Sequence, residues 1–129
     1  MKVITIKEPF ASLIANNIKH IETRSWKTNY RGEIYIHASK IPRNIKGRNE
    51  LKELVKGIKT NPSHILCKCI LRDCIYMDEE FINEIKNNHL EYICGHYEVG
   101  RYAWILDNIE LIDPIYTKGK LGIWNYEDE

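Results

Sequence analysis

The chain has 129 residues, of which 43% are hydrophobic and 29% are charged, and its formal net charge at pH 7 is +1. A chain of this length buries roughly two thirds of its unfolded surface on folding, so we expect a single domain over residues 1–129 that needs no disulfide or metal to be stable. The first residues form a short alternating strand that is neither a signal peptide nor long enough to cross a bilayer. We therefore expect a cytoplasmic protein that does not contact a membrane.

The small net charge hides an uneven distribution. Residues 1–60 carry 13 Lys and Arg against 5 Asp and Glu, whereas residues 61–129 carry 6 against 13. A contiguous basic face in the first half would attract phosphate, because local potential steers a polyanion more than net charge does. For one group of cations the pattern instead favours the solvated side of a helix. These cations are Lys46, Arg48, Lys52, Lys56 and Lys59.

Alternating apolar residues predict six strands, and helical spacing predicts three helices. The predicted strands cover residues 3–6, 21–26, 33–38, 64–77, 102–112 and 121–126. The predicted helices cover residues 9–14, 43–59 and 78–86. The segment 87–100 is polar and aperiodic and is predicted to be a loop. This pattern indicates an α+β domain in which the helices pack on a closed or nearly closed sheet, with Trp104 and Trp124 in its core.

The four cysteines do not have the spacing of a metal site. Cys67 and Cys69 occupy alternate positions of an apolar strand, where a cysteine behaves as a small hydrophobic residue. Zinc sites usually contain Cys-x-x-Cys pairs, and structural disulfides are rare in the cytoplasm. We therefore predict that the protein binds no metal and contains no disulfide.

The segment from residue 17 to 27 concentrates charged groups where a helix gives way to a strand. Asn17 follows the first helix, and asparagine tolerates the left-handed conformation that ends a helix. Lys19 then leads into the strand. Because side chains alternate along a strand, Glu22, Arg24 and Trp26 are predicted to share one face.

This segment resembles the ASCH domain family, which is related to the PUA-like RNA-binding domains and has the motif G-x-K-x-x-E-x-R. Asn17, Lys19, Glu22 and Arg24 fill the four motif positions, with asparagine in place of glycine. The resemblance continues in order along the chain, through residues 7–13, 25–32, 36–39, 100–104 and 118–124. It implies a PUA-like small mixed β-barrel with helices packed on it and a cleft between helix and barrel.

The resemblance and the charge distribution together suggest that RNA or a modified nucleotide binds in a basic cleft. In this hypothesis Lys19 and Arg24 hold phosphate or base, Glu22 orients them or accepts from a base amino group, and Trp26 stacks on a base. No cofactor is required. The remaining candidate binding residues are Lys27, His37, Lys118 and Lys120.

Two other functions remain open at the level of sequence. One is a hydrolase acting on RNA or a modified nucleoside, with Lys19 as base and Glu22 as acid or water-positioning group. Family members that resemble amidohydrolases have a nucleophilic threonine at the position of Glu22, and Thr23 is predicted to face the other way. The second is a protein-interaction module in transcription coregulation, which the family's occurrence in a eukaryotic coactivator suggests.

Overall fold

The computed structural model describes residues 1–127. These residues contain six strands and four short helices. The strands are β1 (Lys2–Ile6), β2 (Ile21–Arg24), β3 (Gly32–Ala38), β4 (His64–Tyr76), β5 (Tyr102–Tyr116) and β6 (Ile123–Asn125). The helices are α1 (Phe10–Ala15), α2 (Asn49–Val55), α3 (Glu79–Ile85) and α4 (His89–Ile93). The predicted α+β class is confirmed.

The strands form one sheet in the order β2-β5-β4-β3-β1-β6. β1 and β3 run parallel, and the other neighbouring pairs are antiparallel. Three register shifts interrupt the long β4–β5 ladder, and such bulges increase the local bend and twist of a strand. The sheet therefore curls strongly into a half-barrel, in agreement with the predicted barrel-like architecture.

The concave face of this sheet holds the main core. Ile34, Ile36 and Ala38 alternate inward along β3, as predicted, and are fully buried. Helix α1 covers them with an apolar face that includes Ile14, and Trp104 of β5 completes the cluster. The end of α1 is therefore fixed against the sheet, which determines where the segment leading to β2 begins.

A buried carboxylate fixes the start of α1. Glu8 is almost fully buried and accepts hydrogen bonds from the Ser12 N–H at 2.8 Å and from the Ser12 hydroxyl at 2.5 Å. It also accepts from the Asn61 N–H at 3.1 Å. Glu8 thus satisfies an N–H of the first helical turn, a role that side-chain caps usually perform, although the cap position itself is Pro9.

Several predicted boundaries were wrong. The strand predicted over residues 21–26 ends at Arg24, and the one predicted over 121–126 is only Ile123–Asn125. The helix predicted over residues 43–59 is only α2, Asn49–Val55, because Pro42 and the positive φ of Gly47 keep the preceding segment out of helical conformation. The predicted loop over 87–100 contains α4. The fifth strand continues to Tyr116, since Pro114 lies where β5 is paired only with β4 and its missing N–H costs no ladder bond.

The cysteines are unpaired, and Cys67 and Cys69 are buried in β4 as predicted. Burial raises the pKa of Cys67 to about 12, so its thiol stays protonated. Within residues 1–127 no three His, Cys, Asp or Glu side chains group as metal ligands. In the same part of the chain, no helix is long and apolar enough to cross a membrane.

Candidate functional site

A cleft of about 1190 Å³ opens beside β2, between α1, the start of α2 and the segment that follows α4. Its lining contains many cationic side chains but only two carboxylates, those of Glu22 and Glu50. The cationic residues are Lys7, Lys19, Arg24, Arg43, Arg48, Arg101 and Lys120. The cleft is therefore basic, although the chain as a whole is almost neutral.

Asn17 makes the turn that delivers the motif to this cleft. Its φ of 60° lies in the left-handed region, as predicted for the residue that replaces the family's glycine. Its side-chain oxygen lies 2.9 Å from Nε2 of His20. The Ile18 and Lys19 N–H groups both donate back to the Leu13 carbonyl, which closes the end of α1.

Lys19 lies at the buried end of the cleft and is only 1% exposed. Its ammonium group donates to the Cys94 carbonyl at 2.6 Å and lies 5.4 Å from the centre of the Phe10 ring. Burial lowers the pKa of Lys19, and the carboxylates of Glu22 and Glu91 act against this shift. Lys19 is therefore a desolvated lysine at the end of the cleft.

Glu22, Arg24 and Trp26 all line the cleft, but strand alternation does not account for this: β2 ends at Arg24, and Thr23, which was predicted to face the other way, lines the cleft as well. Arg24 donates from Nε to the Glu22 carboxylate at 3.0 Å and from Nη2 to the Thr5 carbonyl at 2.8 Å. The edge-to-face pair of Trp26 and Trp104 has a centroid distance of 4.7 Å. Trp104 is buried, whereas Trp26 is 38% exposed at the cleft and presents an aromatic surface to solvent.

Sequence reasoning missed Glu91, the buried carboxylate beside the start of β2. Glu91 is 3% exposed and accepts from the His20 N–H at 2.9 Å and from the Ile21 N–H at 3.2 Å. It therefore holds the first residues of β2 in place. A signal for it existed: Asn88 caps α4 and Glu91 follows three residues later, the spacing of a capping box.

Cationic side chains also fix the segment that follows α4. Four consecutive carbonyl oxygens, those of residues 93–96, each accept from Lys or Arg. Arg48 donates from Nη2 to the first and third of them, at 2.8 Å and 3.2 Å. Lys19 donates to the second, and Arg101 donates to the fourth at 3.1 Å. Arg48 is thus half-buried, and its expected place on the solvated side of a helix was wrong.

Tyr97, the next residue of this segment, has a hydroxyl group without a hydrogen bond among the described residues. This hydroxyl is buried. Burial raises the pKa of Tyr97, and the carboxylates of Glu91 and Glu22 add to the shift, so the phenol stays neutral. The ring stacks on Tyr92 with a centroid distance of 5.7 Å, and a Cβ at Gly95 would lie 2.4 Å from its Cε2 atom. The close approach explains the glycine.

Of the remaining candidate binding residues, only Lys120 lines the cleft, whereas Lys27, Lys118 and His37 do not. Lys120 lines the cleft, with its Nζ 5.8 Å from the centre of the Trp124 ring. Lys27 and Lys118 are exposed outside the cleft lining. His37 is buried away from the cleft, where Nε2 lies 2.7 Å from the Thr117 carbonyl. His37 therefore supports the segment that leads to Lys120 rather than lining the cleft itself.

His37 belongs to a hydrogen-bonded chain that is satisfied without a ligand. The Trp124 indole N–H donates to the Thr5 hydroxyl at 3.0 Å, and that hydroxyl lies 3.3 Å from Nδ1 of His37. A neutral ring satisfies both contacts, with Nε2–H donating to the Thr117 carbonyl and Nδ1 accepting from the Thr5 hydroxyl. Burial lowers the pKa of His37, which favours the same neutral form.

The curled half-barrel and the charged motif beside α1 define an ASCH-like domain. The family model of the ASCH domain matches residues 4–117, which is most of the chain. The protein belongs to the ASCH domain family, and the resemblance read from residues 17–24 is confirmed.

Known proteins with similar sequence or structure support this assignment. The chain is 25% identical over 140 residues to activating signal cointegrator 1 of Homo sapiens, and equally to that of Mus musculus. The match covers 98% of this chain but only 22% of those proteins. The crystal structure of ASCH from Zymomonas mobilis matches with a TM-score of 0.58 at 19% identity, over 89% of this chain and 72% of that chain. A crystal structure of a tyrosine-to-phenylalanine mutant of that protein gives 0.52 at 16% identity, over 89% and 74%.

Proposed function

We propose that this domain binds RNA or a nucleotide-like ligand in the cleft between α1 and the curled sheet. The observation that carries the proposal is the composition of the cleft. Seven cationic side chains line it, but only two carboxylates do. Glu22 is engaged by Arg24, and Glu50 pairs with His89. Most of the positive charge is therefore not neutralised by neighbouring carboxylates, which favours an anionic partner.

The aromatic wall adds a feature that simple anions do not require. Trp26 keeps part of its ring exposed at the cleft while its neighbour Trp104 fixes it from the side. The Trp104 indole N–H also donates to the Trp26 carbonyl at 3.3 Å, which holds the backbone. An immobilised aromatic surface beside cationic groups suits a nucleobase followed by a phosphate.

Arg24 is the guanidinium of this wall. Its Nε and Nη2 atoms are engaged by Glu22 and Thr5, which orients the planar group and reduces the entropy that ligand binding would cost. Its Cζ lies 6.0 Å from the centre of the Trp104 ring. In the proposal Arg24 contacts phosphate or a base edge beside Trp26.

Tryptophan fluorescence, titrated with single-stranded RNA at two salt concentrations, tests this proposal. Saturable quenching that weakens with salt is the expected result, and Arg24→Ala is expected to lower both the affinity and the dependence on salt. Lys27→Ala is the matched control, because Lys27 is an exposed cation close in sequence that does not line the cleft. Unchanged affinity and salt dependence in Arg24→Ala would remove Arg24 from the interface.

A second candidate function is hydrolysis of RNA or a modified nucleoside, and the burial of Lys19 favours it. A lysine with a lowered pKa can act as a base, and Glu22 lies near enough to influence its protonation. The threonine nucleophile of the amidohydrolase-like relatives is absent. Thr23 does not replace it, since its hydroxyl accepts from the His96 N–H at 3.1 Å.

Turnover separates the two candidates. Labelled RNA and acetylcytidine would be incubated with pure protein and with Lys19→Met, which keeps the volume of the buried side chain but removes the amine. Product formation that disappears in the variant supports hydrolysis. Binding without product from either substrate leaves recognition as the function of the cleft.

A further inference from the structure

Arg48 is a half-buried cation without a carboxylate partner among the described residues. Its Nη2 donates to the carbonyls of Ile93 and Gly95, and its Cζ lies 5.4 Å from the centre of the Phe10 ring. Nε and Nη1 make no hydrogen bond within residues 1–127. Glu50, the carboxylate closest in sequence, pairs with His89 instead. A desolvated charge left in this state is costly unless something else binds to it.

Arg43 brings a second cation to the same part of the cleft. Its backbone N–H donates to the Glu8 carbonyl at 2.8 Å, which fixes the residue beside the start of α1. Its side chain is exposed, lines the cleft and forms no ion pair within the described chain. Burial lowers the pKa of Arg48, and the charge of Arg43 lowers it further, so the two guanidinium groups repel each other.

We propose that Arg43 and Arg48 form a phosphate subsite of the cleft, which binds a phosphate of the nucleotide ligand. This inference rests on the proposed function and adds the position of the anionic group. Arg48 has its guanidinium fixed through Nη2 by two carbonyls and retains Nε–H and Nη1–H donors, each of which can donate to a phosphate oxygen singly. Arg43 is exposed and can complete the charge neutralisation when the anion binds.

Matched ligands with and without phosphate test the subsite. Isothermal titration would compare the four ribonucleosides with their 5′- and 3′-monophosphates and with dinucleoside monophosphates. We expect phosphate to increase affinity about tenfold or more, as charge-assisted hydrogen bonds do, and this increase to shrink at high salt. A gain with the dinucleoside monophosphates identifies an internal linkage of RNA, whereas a gain restricted to mononucleotides identifies a free nucleotide.

Variants assign the gain to particular residues. Arg43→Ala is expected to abolish most of the phosphate gain with a smaller effect on nucleoside affinity, and Arg48→Gln to reduce the phosphate gain as well. Lys46→Ala is the matched control, since it removes an exposed cation between the two that does not line the cleft. Arg48 also supports the segment after α4, so Arg48→Lys, which keeps the charge, is included. Arg43 has no such structural contact and decides the test if the Arg48 variants unfold.

Failure of the subsite is distinguishable from failure of the cleft. If nucleosides and nucleotides bind equally well, or if Arg43→Ala and Lys46→Ala reduce the phosphate gain equally, the subsite is overturned and the proposed binding function stands. If none of the nucleosides, nucleotides or RNA ligands binds, the proposed function fails, and the subsite fails with it.

Discussion

The side chains in and beside the cleft divide into a buried cluster, formed by Lys19, Glu22, Glu91 and the hydroxyl of Tyr97, and an exposed rim, formed by Trp26, Arg43 and Lys120. In the buried cluster Lys19 and Glu91 are bonded to backbone groups of distant segments. Arg43 and Lys120 on the rim form no ion pair with the described residues. The difference indicates that buried charges chiefly hold the fold together, whereas rim side chains remain available to a ligand. Substitutions in the two regions should therefore affect different measurements.

Glu91→Ala in the buried cluster is expected to have the largest effect, a loss of about 3–5 kcal/mol in the free energy of unfolding. The change leaves the N–H groups of His20 and Ile21 without their acceptor and removes a counter-charge from Lys19. Urea denaturation measures the loss. Glu84→Ala is the control, because Glu84 is exposed on the neighbouring helix α3 and should change stability by no more than about 0.5 kcal/mol.

Equal, small losses in Glu91→Ala and Glu84→Ala would contradict the structural role of the buried cluster. Glu91→Gln sharpens the comparison, since the amide keeps one oxygen acceptor at the same position but removes the charge. A stability between those of wild type and Glu91→Ala is the expected result.

Trp26→Ala on the rim is expected to weaken RNA binding by about 1–3 kcal/mol, the usual value of one stacked base. Its effect on stability should be smaller than that of Glu91→Ala, because the ring is partly exposed and packs mainly on Trp104. Titration calorimetry gives the affinity, because the substitution removes the fluorescent ring itself, and urea denaturation gives the stability. Trp26→Phe, followed by titration calorimetry, should retain most of the binding. If Trp26→Ala lowers stability but not affinity, the role of Trp26 is structural and it does not contact the ligand.

Trp26 and Lys120 of the rim, and Lys19 and Glu22 of the buried cluster, were candidates from the sequence, whereas Arg43, Glu91 and Tyr97 were not. Local rules placed the turn at Asn17 and the pairing of Glu22 with Arg24 two positions along β2, because both depend only on neighbours in sequence. The barrel-like sheet followed from the order of the strand patterns and the family resemblance. Tertiary packing decided the rest.

Burial and distant partners are what sequence periodicity does not contain. Lys19 is buried because α1 and the segment after α4 pack around it. Its contact with Cys94 joins two residues that are 75 positions apart in sequence. Glu91 lies in a stretch that lacks apolar periodicity. Arg48 was misjudged because the helix assumed around it begins only at Asn49, which turns its side chain from a solvated face toward the cleft.

Lys19 should also give the stability of the protein a specific pH dependence. Its pKa is lowered by burial from 10.5, so the unfolded state binds more protons than the folded state between the two pKa values. The free energy of unfolding should therefore rise with pH in that range, by at most about 1.4 kcal/mol per pH unit, and Lys19→Met should lack this rise. Urea denaturation from about pH 7 to pH 10 measures the difference between the two proteins.

That difference is the informative quantity, because other ionisable groups lie near Lys19. Glu22 and Glu91 face its amine, Arg48 lies beside the same segment, and burial raises the pKa of Cys94. These groups contribute to both proteins. Parallel pH profiles for wild type and Lys19→Met would show that the lysine keeps its ordinary pKa and would weaken the case for Lys19 as a base.

Tyr97→Phe should have the smallest effect and the opposite sign, a gain in stability of up to about 1 kcal/mol. The change removes only a buried hydroxyl that lacks a partner among residues 1–127, and such a group costs free energy in the folded state. Urea denaturation measures the gain, with Tyr92→Phe as the control from the other ring of the stacked pair. A loss of stability in Tyr97→Phe alone would mean that the hydroxyl is hydrogen-bonded in solution. A gain accompanied by weaker nucleotide binding would mean instead that the buried cluster keeps an unfavourable hydroxyl because the ligand uses it.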